Sequence, residues 1–253
     1  MPTRLTFTPG NHSYWLADPT TGKKQRLTSV TSLLSQLDKP ALKRWAANTA
    51  ADYATDHWDD LAGMAPSKRR AAIAGAPWQT SSKAAARGTA IHAMAEDLIA
   101  GRPVEVPDEL TGAVQGLARW IEASGFRASD TECMVWSEED PDLGLCGFAG
   151  TFDALGVHPR HGTLLVDWKT SSGVWPEYAV QLAGYESADW IVQGDDDMAL
   201  PCPDALAVAH IRPDGTDLHI VTPAERRLAW QRFELLRALR NVPEPTFQLE
   251  ATA

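Results

Sequence analysis

The segment from Gly147 to Lys169, GFAGTFDALGVHPRHGTLLVDWK, constrains the fold more than any other stretch of the chain. Alternation through GFAGTFDAL and TLLVDWK predicts two strands, and HPRHG between them supplies a turn. With the turn at His158 to Gly162, Val157 faces Thr163 and the register places Asp153 directly opposite Asp167. Lys169 follows on the face of Asp167, because side chains repeat every two residues along a strand. Two carboxylates opposed across a sheet repel unless something neutralises them. A divalent cation with oxygen ligands, beside a lysine near a reacting phosphate, would do so. A solvated cross-strand Asp/Lys pair is the alternative reading of the same three residues. LLVDWK is apolar enough to predict burial on at least one side, and buried charges need partners.

Length and composition narrow the choice. A chain of 253 residues with 44% hydrophobic and 22% charged residues suits one substantial soluble domain with an elaborated flank. No apolar run is long enough for a membrane span, and MPTRLTFTPGNHSYW lacks the apolar core of a signal peptide. Cys133, Cys146 and Cys202 are widely spaced without a CxxC pair, so neither a disulfide framework nor a zinc ribbon is indicated, and the expected location is cytoplasmic. The net charge of −10 argues against a protein that coats nucleic acid. It hides an asymmetry: residues 1–90 carry 12 Lys+Arg against 6 Asp+Glu, and residues 91–253 carry 11 against 27. A basic part on an acidic body can guide a phosphate backbone, although solvated basic helix faces account for the same charges.

Along the chain, residues 1–28 read as an irregular or short β-hairpin start with a turn at TTGKK. Helical patterns follow at TSVTSLLSQL, Ala41 to Asp60, Pro66 to Ala74, Thr80 to Ala100 and Asp108 to Ala123. Strands are expected at Thr131 to Trp136, Gly147 to Val157 and Thr163 to Lys169, then a helix over Pro176 to Val192, strands at Ala205 to Ile211 and Leu218 to Val221, and a last helix to Arg240. The order describes an α/β core with a helical N-terminal elaboration. As segments, 1–125 form the elaboration, 126–241 the core and 242–253 a poorly ordered tail, within one structural domain.

Two helical pieces bear on the hairpin. His92 lies one turn after Gly88 in RGTAIH, where a small residue lets another backbone or a ligand approach. Gln181 and Tyr185, four apart on the helix after the hairpin, share a face. Taken singly, a helical histidine is more often packed or solvated than a ligand, and the Gln/Tyr pair is more often surface decoration.

Together these pieces resemble the PD-(D/E)XK nucleases, specifically the RecB-type nuclease domain found in phage exonucleases, the mitochondrial genome-maintenance exonuclease and CRISPR-adaptation nucleases. The matching elements are a G-x-x-x-H helix (Gly88 to His92), a G-x-x-D strand (Gly150 to Asp153), a D-(aromatic)-K-T strand (Asp167, Trp168, Lys169, Thr170) and a Q-x-x-x-Y helix (Gln181, Tyr185), in the family's order. The phrase VTSLLSQLDKPALKRWAA also looks like the opening of phage members.

The resemblance implies a restriction-endonuclease-like core with a central mixed β-sheet flanked by helices. It implies a metal-dependent DNA exonuclease of phage or prophage type, working in recombination, repair or replication. His92, Asp153 and Asp167 would be side-chain ligands of one or two Mg²⁺ or Mn²⁺ ions, with the backbone carbonyl of Trp168 beside them. Lys169 would orient or activate the attacking water, Gln181 and Tyr185 would position the lysine or the DNA backbone, and Arg87 would contact a phosphate, with Thr170 alongside. Glu132 matches an acidic position of less defined role. DNA is the implied partner, with room for a recombination or single-strand-binding protein and for a homo-oligomer, and no membrane. No iron-sulfur cluster is implied, since three scattered cysteines cannot supply its four ligands. A catalytically silent DNA-binding or assembly protein and a structure-selective endonuclease are the competing readings. Most of the ten tryptophans should be core, Trp168 among them, while Trp45, near Lys43 and Arg44, and Trp78 are placed to meet DNA. A turn is the expected explanation of His158 and His161.

Overall fold

The computed structural model describes residues 2–246. Strands β1 (Leu5–Thr8) and β2 (Ser13–Ala17) pair antiparallel around a 3-10 turn at Pro9–Asn11, and β3 (Lys24–Ser29) adds to β2, so the expected short hairpin becomes three strands. The Asp18 carboxylate accepts from the N–H groups of Thr20 at 3.0 Å and Thr21 at 2.7 Å, fixing the β2–β3 turn. Ser29 ends β3 and caps α1 (Val30–Leu34), its hydroxyl accepting the Ser32 N–H at 3.0 Å.

Three helices follow: α2 (Pro40–Asp56), α3 (Trp58–Ala62) and α4 (Pro66–Ile99). The sequence predicts separate helices over Pro66 to Ala74 and Thr80 to Ala100, whereas one helix runs through Pro77. The proline deprives the Ile73 carbonyl of its helical donor. Only Ala76, Ile91 and Ala95 of this long helix are buried, so most of its length stands outside the core. α5 (Thr111–Ser124) then buries Ala113, Val114, Gly116 and Leu117, one stripe of the helix, and leads into the sheet.

The remaining elements are β4 (Arg127–Ser137), β5 (Phe148–His158), β6 (Gly162–Lys169), α6 (Pro176–Glu186), β7 (Trp190–Gln193), β8 (Asp196–Ala199), β9 (Ala205–Arg212), β10 (Gly215–Ile220) and α7 (Pro223–Asn241). A capping box of Thr222 and Glu225 starts α7. The helix expected over Pro176 to Val192 stops at Glu186, and a β7–β8 hairpin takes its last residues. Trp190, Ile191 and Val192 favour extended backbone, and Gly194, at φ +61°, begins the two-residue turn that reverses the chain. Of the expected tail, residues 247–253 lie outside the described residues.

The ten strands among the described residues join one mixed sheet, with β1-β2-β3-β5-β4-β7-β8 along one path and β6, β9 and β10 continuing from β5. β6 pairs parallel with β9, from Leu164↔Ala205 to Lys169↔His210. Odd and even residues of β6 enter different cores: Leu165 joins a cluster with α1, α6 and α7, while Leu164, Val166 and Trp168 join one with α4 and α5. The fold is thus α/β, with helices on both faces of a central mixed sheet. No described helix is long and apolar enough to cross a membrane.

Helices α6 and α7 meet at Gly184, where a Cβ would lie 2.6 Å from Cε2 of the fully buried Phe233. Gly184→Ala is expected to cost about 1–3 kcal/mol through overpacking, read as a lower urea midpoint at unchanged slope. An unshifted midpoint would mean that the two helices separate there at no cost.

Candidate metal centre

One edge of β5 is occupied along its length by β4, from Arg127↔Val157 to Ser137↔Phe148. The other edge is shared between two partners. β3 pairs in parallel at Thr28↔Phe148 and Ser29↔Ala149, and β6 pairs antiparallel from His158↔Gly162 to Ala154↔Val166. Val157 faces Thr163 as the sequence predicts, but the ladder ends one pair before Asp153 and Asp167 would meet. The sheet therefore forks, leaving residues 150–153 of β5 without a strand partner on that edge. In the fork, the Trp168 N–H donates to Asp153 Oδ2 at 2.6 Å, a side-chain oxygen standing in for a backbone carbonyl.

A second irregularity meets the first. The pairs Thr131↔Ala154 and Cys133↔Phe152 place Glu132 opposite Asp153, and Glu132 has φ +50°, a left-handed conformation that costs roughly 1–3 kcal/mol for a side-chain-bearing residue. Phe152 and Leu155 are an odd number of residues apart, yet both enter the core beneath α6 and α7, while Ala154 enters the core beneath α4 and α5. The strand changes face at this point, where a regular strand would keep strict alternation.

The helices close on the fork from opposite sides. From one side α4 brings His92, whose Nδ1 lies 3.2 Å from Asp153 Oδ1. Gly88, one turn earlier, eases this approach, since a Cβ there would crowd Thr170 Oγ1 at 3.2 Å. From the other side α6 brings Gln181 and Tyr185, with Gln181 Nε2 donating to the Tyr185 hydroxyl at 2.7 Å. The Tyr185 ring lies over Gly150, where a Cβ would come 2.6 Å from Cε1, so the glycine of G-x-x-D is a seat for the tyrosine of Q-x-x-x-Y. A cleft of about 720 Å³ opens above, with His92, Glu132, Asp153 and Tyr185 on one part of its lining and His12 and Tyr14, from the first hairpin, on another.

One ligand atom each from His92, Glu132 and Asp153 lies within 4.8 Å of the others, an arrangement that could hold a metal ion. Glu132 thus joins the group, while Asp167, expected as a ligand, stands beside it. Asp167 is 2% exposed, and its Oδ2 touches the Lys169 ammonium but makes no properly directed hydrogen bond. The ammonium already meets the charge of that oxygen, so the room for a metal ion lies among His92, Glu132 and Asp153. The donor set, imidazole nitrogen with carboxylates, suits Mn²⁺ as well as Mg²⁺.

Electrostatics agree with a site short of positive charge. Burial, then the charge of Asp153, pushes the Glu132 carboxyl up to about 7, even though that side chain keeps exposed surface at the cleft. Burial likewise raises Asp167 above the ordinary carboxylate range, against the pull of Lys169. Burial alone would lower His92, but its hydrogen bond to Asp153 and the charges of Asp153 and Asp167 outweigh that and raise it. Lys169 is raised as well, because Asp167 and Asp153 overcome its desolvation, and its Nζ sits 5.1 Å from the centre of the Tyr178 ring.

The other expected residues are placed as follows. Trp168 is 1% exposed and packs edge-on against Trp120, 5.9 Å between ring centres. Arg87 is exposed and, five residues before His92, lies about 140° around α4 from it. Lys43 pairs with Asp38, Arg44 is exposed on α2, and neither lines the cleft. His158 Nδ1 accepts the Arg160 N–H at 3.1 Å, as a turn residue does. Tyr178 went unsingled in the sequence although it precedes Gln181 and Tyr185 by three and seven on the same helix, a spacing that shares their face. Nothing in the sequence marked His12.

No protein-family profile and no curated protein matches the sequence significantly. Among solved structures, the crystal structure of SSO0001 aligns with 85% of this chain and 84% of its own at 13% identity and a TM-score of 0.35, a superposition too loose for comparing sites.

In the metal-free protein Glu132 takes up its proton more tightly folded than unfolded, so its contribution to stability falls as pH rises from about 4.5 towards 7. Glu132→Gln is expected to flatten that part of the profile and to make the metal-free protein more stable at pH 7, as followed by urea midpoints from pH 5 to 7.5. A slope identical in the two proteins would place the titrating group elsewhere.

Proposed function

We propose that the chain is a metal-dependent deoxyribonuclease that hydrolyses phosphodiester bonds of DNA, working from a strand end. The observation that carries this reading is the meeting of His92, Glu132 and Asp153 with the Asp167–Lys169 pair at the fork of the sheet, inside a cleft open to solvent. An ion held by His92, Glu132 and Asp153, Mg²⁺ or Mn²⁺, would lower the pKa of a bound water and neutralise charge on the scissile phosphate. Every other part of the task falls to side chains.

Lys169 is kept charged by Asp167 and Asp153, so it serves as an ammonium donor to a phosphate oxygen and holds an attacking water rather than deprotonating it. Asp167 fixes that ammonium in place. Tyr178 flanks it and its hydroxyl donates to Ser171 Oγ at 3.0 Å, which anchors the ring. Gln181 and Tyr185 act through each other: the bonded pair closes the apolar side of the fork and excludes water from behind the carboxylates. The acidic lining repels phosphate when no cation is bound, so substrate binding and metal binding are coupled. The basic side of the chain, residues 1–90, offers the counter-charge along which a polyanion approaches.

Asp153→Asn and Lys169→Ala are each expected to lower Mg²⁺-dependent degradation of linear DNA by at least about a hundredfold while the far-UV circular dichroism stays native. Full activity in either pure variant would sink the assignment. Closed circular DNA offered beside linear DNA separates the two modes of attack: loss of the linear form alone is the exonuclease result, and nicking of the circle is the endonuclease result.

A further inference from the structure

The face of α4 that lines the cleft does not end at the cleft. Ala85, Gly88, Thr89, His92 and Glu96 all line it. Continuing that face towards the start of the helix leads to Trp78, seven residues before Ala85 and fourteen before His92. At 3.6 residues per turn these separations leave Trp78 within about 40° of His92 around the helix and about 21 Å from it along the axis. The helix between them is continuous, since its internal proline, Pro77, comes before Trp78. Trp78 is 77% exposed, more than any other large hydrophobic side chain among the described residues.

An indole this open is a poor core residue, and its surroundings say what it meets. Helices α2 to α4 also expose Trp45 and Trp58, and their seven Lys and Arg outnumber their six Asp and Glu, the reverse of the chain as a whole; Arg44, Lys68, Arg70, Lys83 and Arg87 make no ion pair among the described residues, with Lys83 and Arg87 turned about 140° and 180° around α4 from Trp78. Open aromatic faces on helices of slight positive balance, on an otherwise acidic protein, match a polymer of phosphates bearing flat rings. In a duplex those rings are stacked on one another and closed to a side chain, whereas in a single strand they are free to stack on an aromatic platform.

We infer that Trp78 is a base-stacking platform for single-stranded DNA, gripping the strand a few nucleotides from the bond that is cut. The inference rests on the nuclease reading and adds the substrate class: DNA with a single-stranded end, laid along α4 from Trp78 to His92. The small and hydroxyl-bearing side chains between them, Ser81, Ser82, Ala85, Gly88 and Thr89, leave room for the backbone of the strand.

The test uses the full chain and its Trp78→Ala and Trp78→Phe variants. Affinity for a fluorescently labelled thymidine oligonucleotide and for a blunt, hairpin-closed duplex is measured by anisotropy with Ca²⁺ in place of Mg²⁺, so that the acidic lining is neutralised while cutting is suppressed. Degradation of both DNAs is then followed with Mg²⁺. Trp78→Ala is expected to bind the oligonucleotide about tenfold more weakly and to leave duplex affinity within about twofold, with Trp78→Phe close to wild type on both. Exposure of position 78 makes a folding defect in either variant easy to exclude by thermal melting. If wild type binds and degrades DNA but Trp78→Ala binds the oligonucleotide equally well, this inference falls and the nuclease reading stands. Equal loss on single strand and duplex would also overturn it, as would a change of oligomeric state on gel filtration with unaltered DNA affinity. If wild type neither binds nor degrades any DNA, both readings fall together.

Discussion

The bond from the Trp168 N–H to the Asp153 carboxylate is the interaction on which the site depends. In an uninterrupted antiparallel ladder that N–H would find a carbonyl on β5, and β5 and β6 would zip shut past Asp153 and Asp167. Here β5 gives the first part of this edge to β3 and the last part to β6, and a side chain satisfies the donor in the gap. A buried N–H left without an acceptor would be costly, so the fork persists only while Asp153 keeps one oxygen turned to the backbone. The other oxygen is then free to face His92. One carboxylate thus opens the sheet and furnishes the opening with a ligand.

Strain and charge gather at the same place. Glu132 takes a left-handed conformation directly across from Asp153, and the strand crosses from one core to the other between Phe152 and Leu155. Because the seam between the two cores passes through the fork, a helix from each side can reach it: α4 with His92, α6 with Gln181 and Tyr185. Three acidic groups and one lysine meet in a small space, and burial first, with the repulsion of neighbouring carboxylates added to it, raises the pKa values of Glu132 and Asp167. A divalent cation bound there would offset the repulsion among these carboxylates, linking the ion's affinity to the stability of the fork itself.

Much of this was legible from residue order. The β5–β6 register followed from a turn centred on HPRHG, and the pairing of Gly88 with His92 and of Gln181 with Tyr185 followed from helical spacing. The seat of Tyr185 on Gly150 was not legible, because it joins two motifs that only the fold brings into contact. Glu132 was marked in the sequence only as an acidic position of undefined role; its place across from Asp153 depended on a backbone conformation that glutamate rarely adopts. The β7–β8 hairpin was hidden by an apolar stretch that reads equally as the end of a helix, with Gly194 the one overlooked signal. The unbroken α4 shows the opposite error: Pro77 suggests a stop, yet the helix continues through it at the loss of one backbone hydrogen bond.

The central claim is that the forked sheet holds a divalent cation among His92, Glu132 and Asp153. It is tested most directly by crystals grown with Mn²⁺ and measured for anomalous scattering. The account predicts an anomalous peak within bonding distance of one atom from each of these three residues, with Asp153 still accepting the Trp168 N–H. A well-ordered fork without a peak, or a peak coordinated elsewhere on the chain, would contradict it.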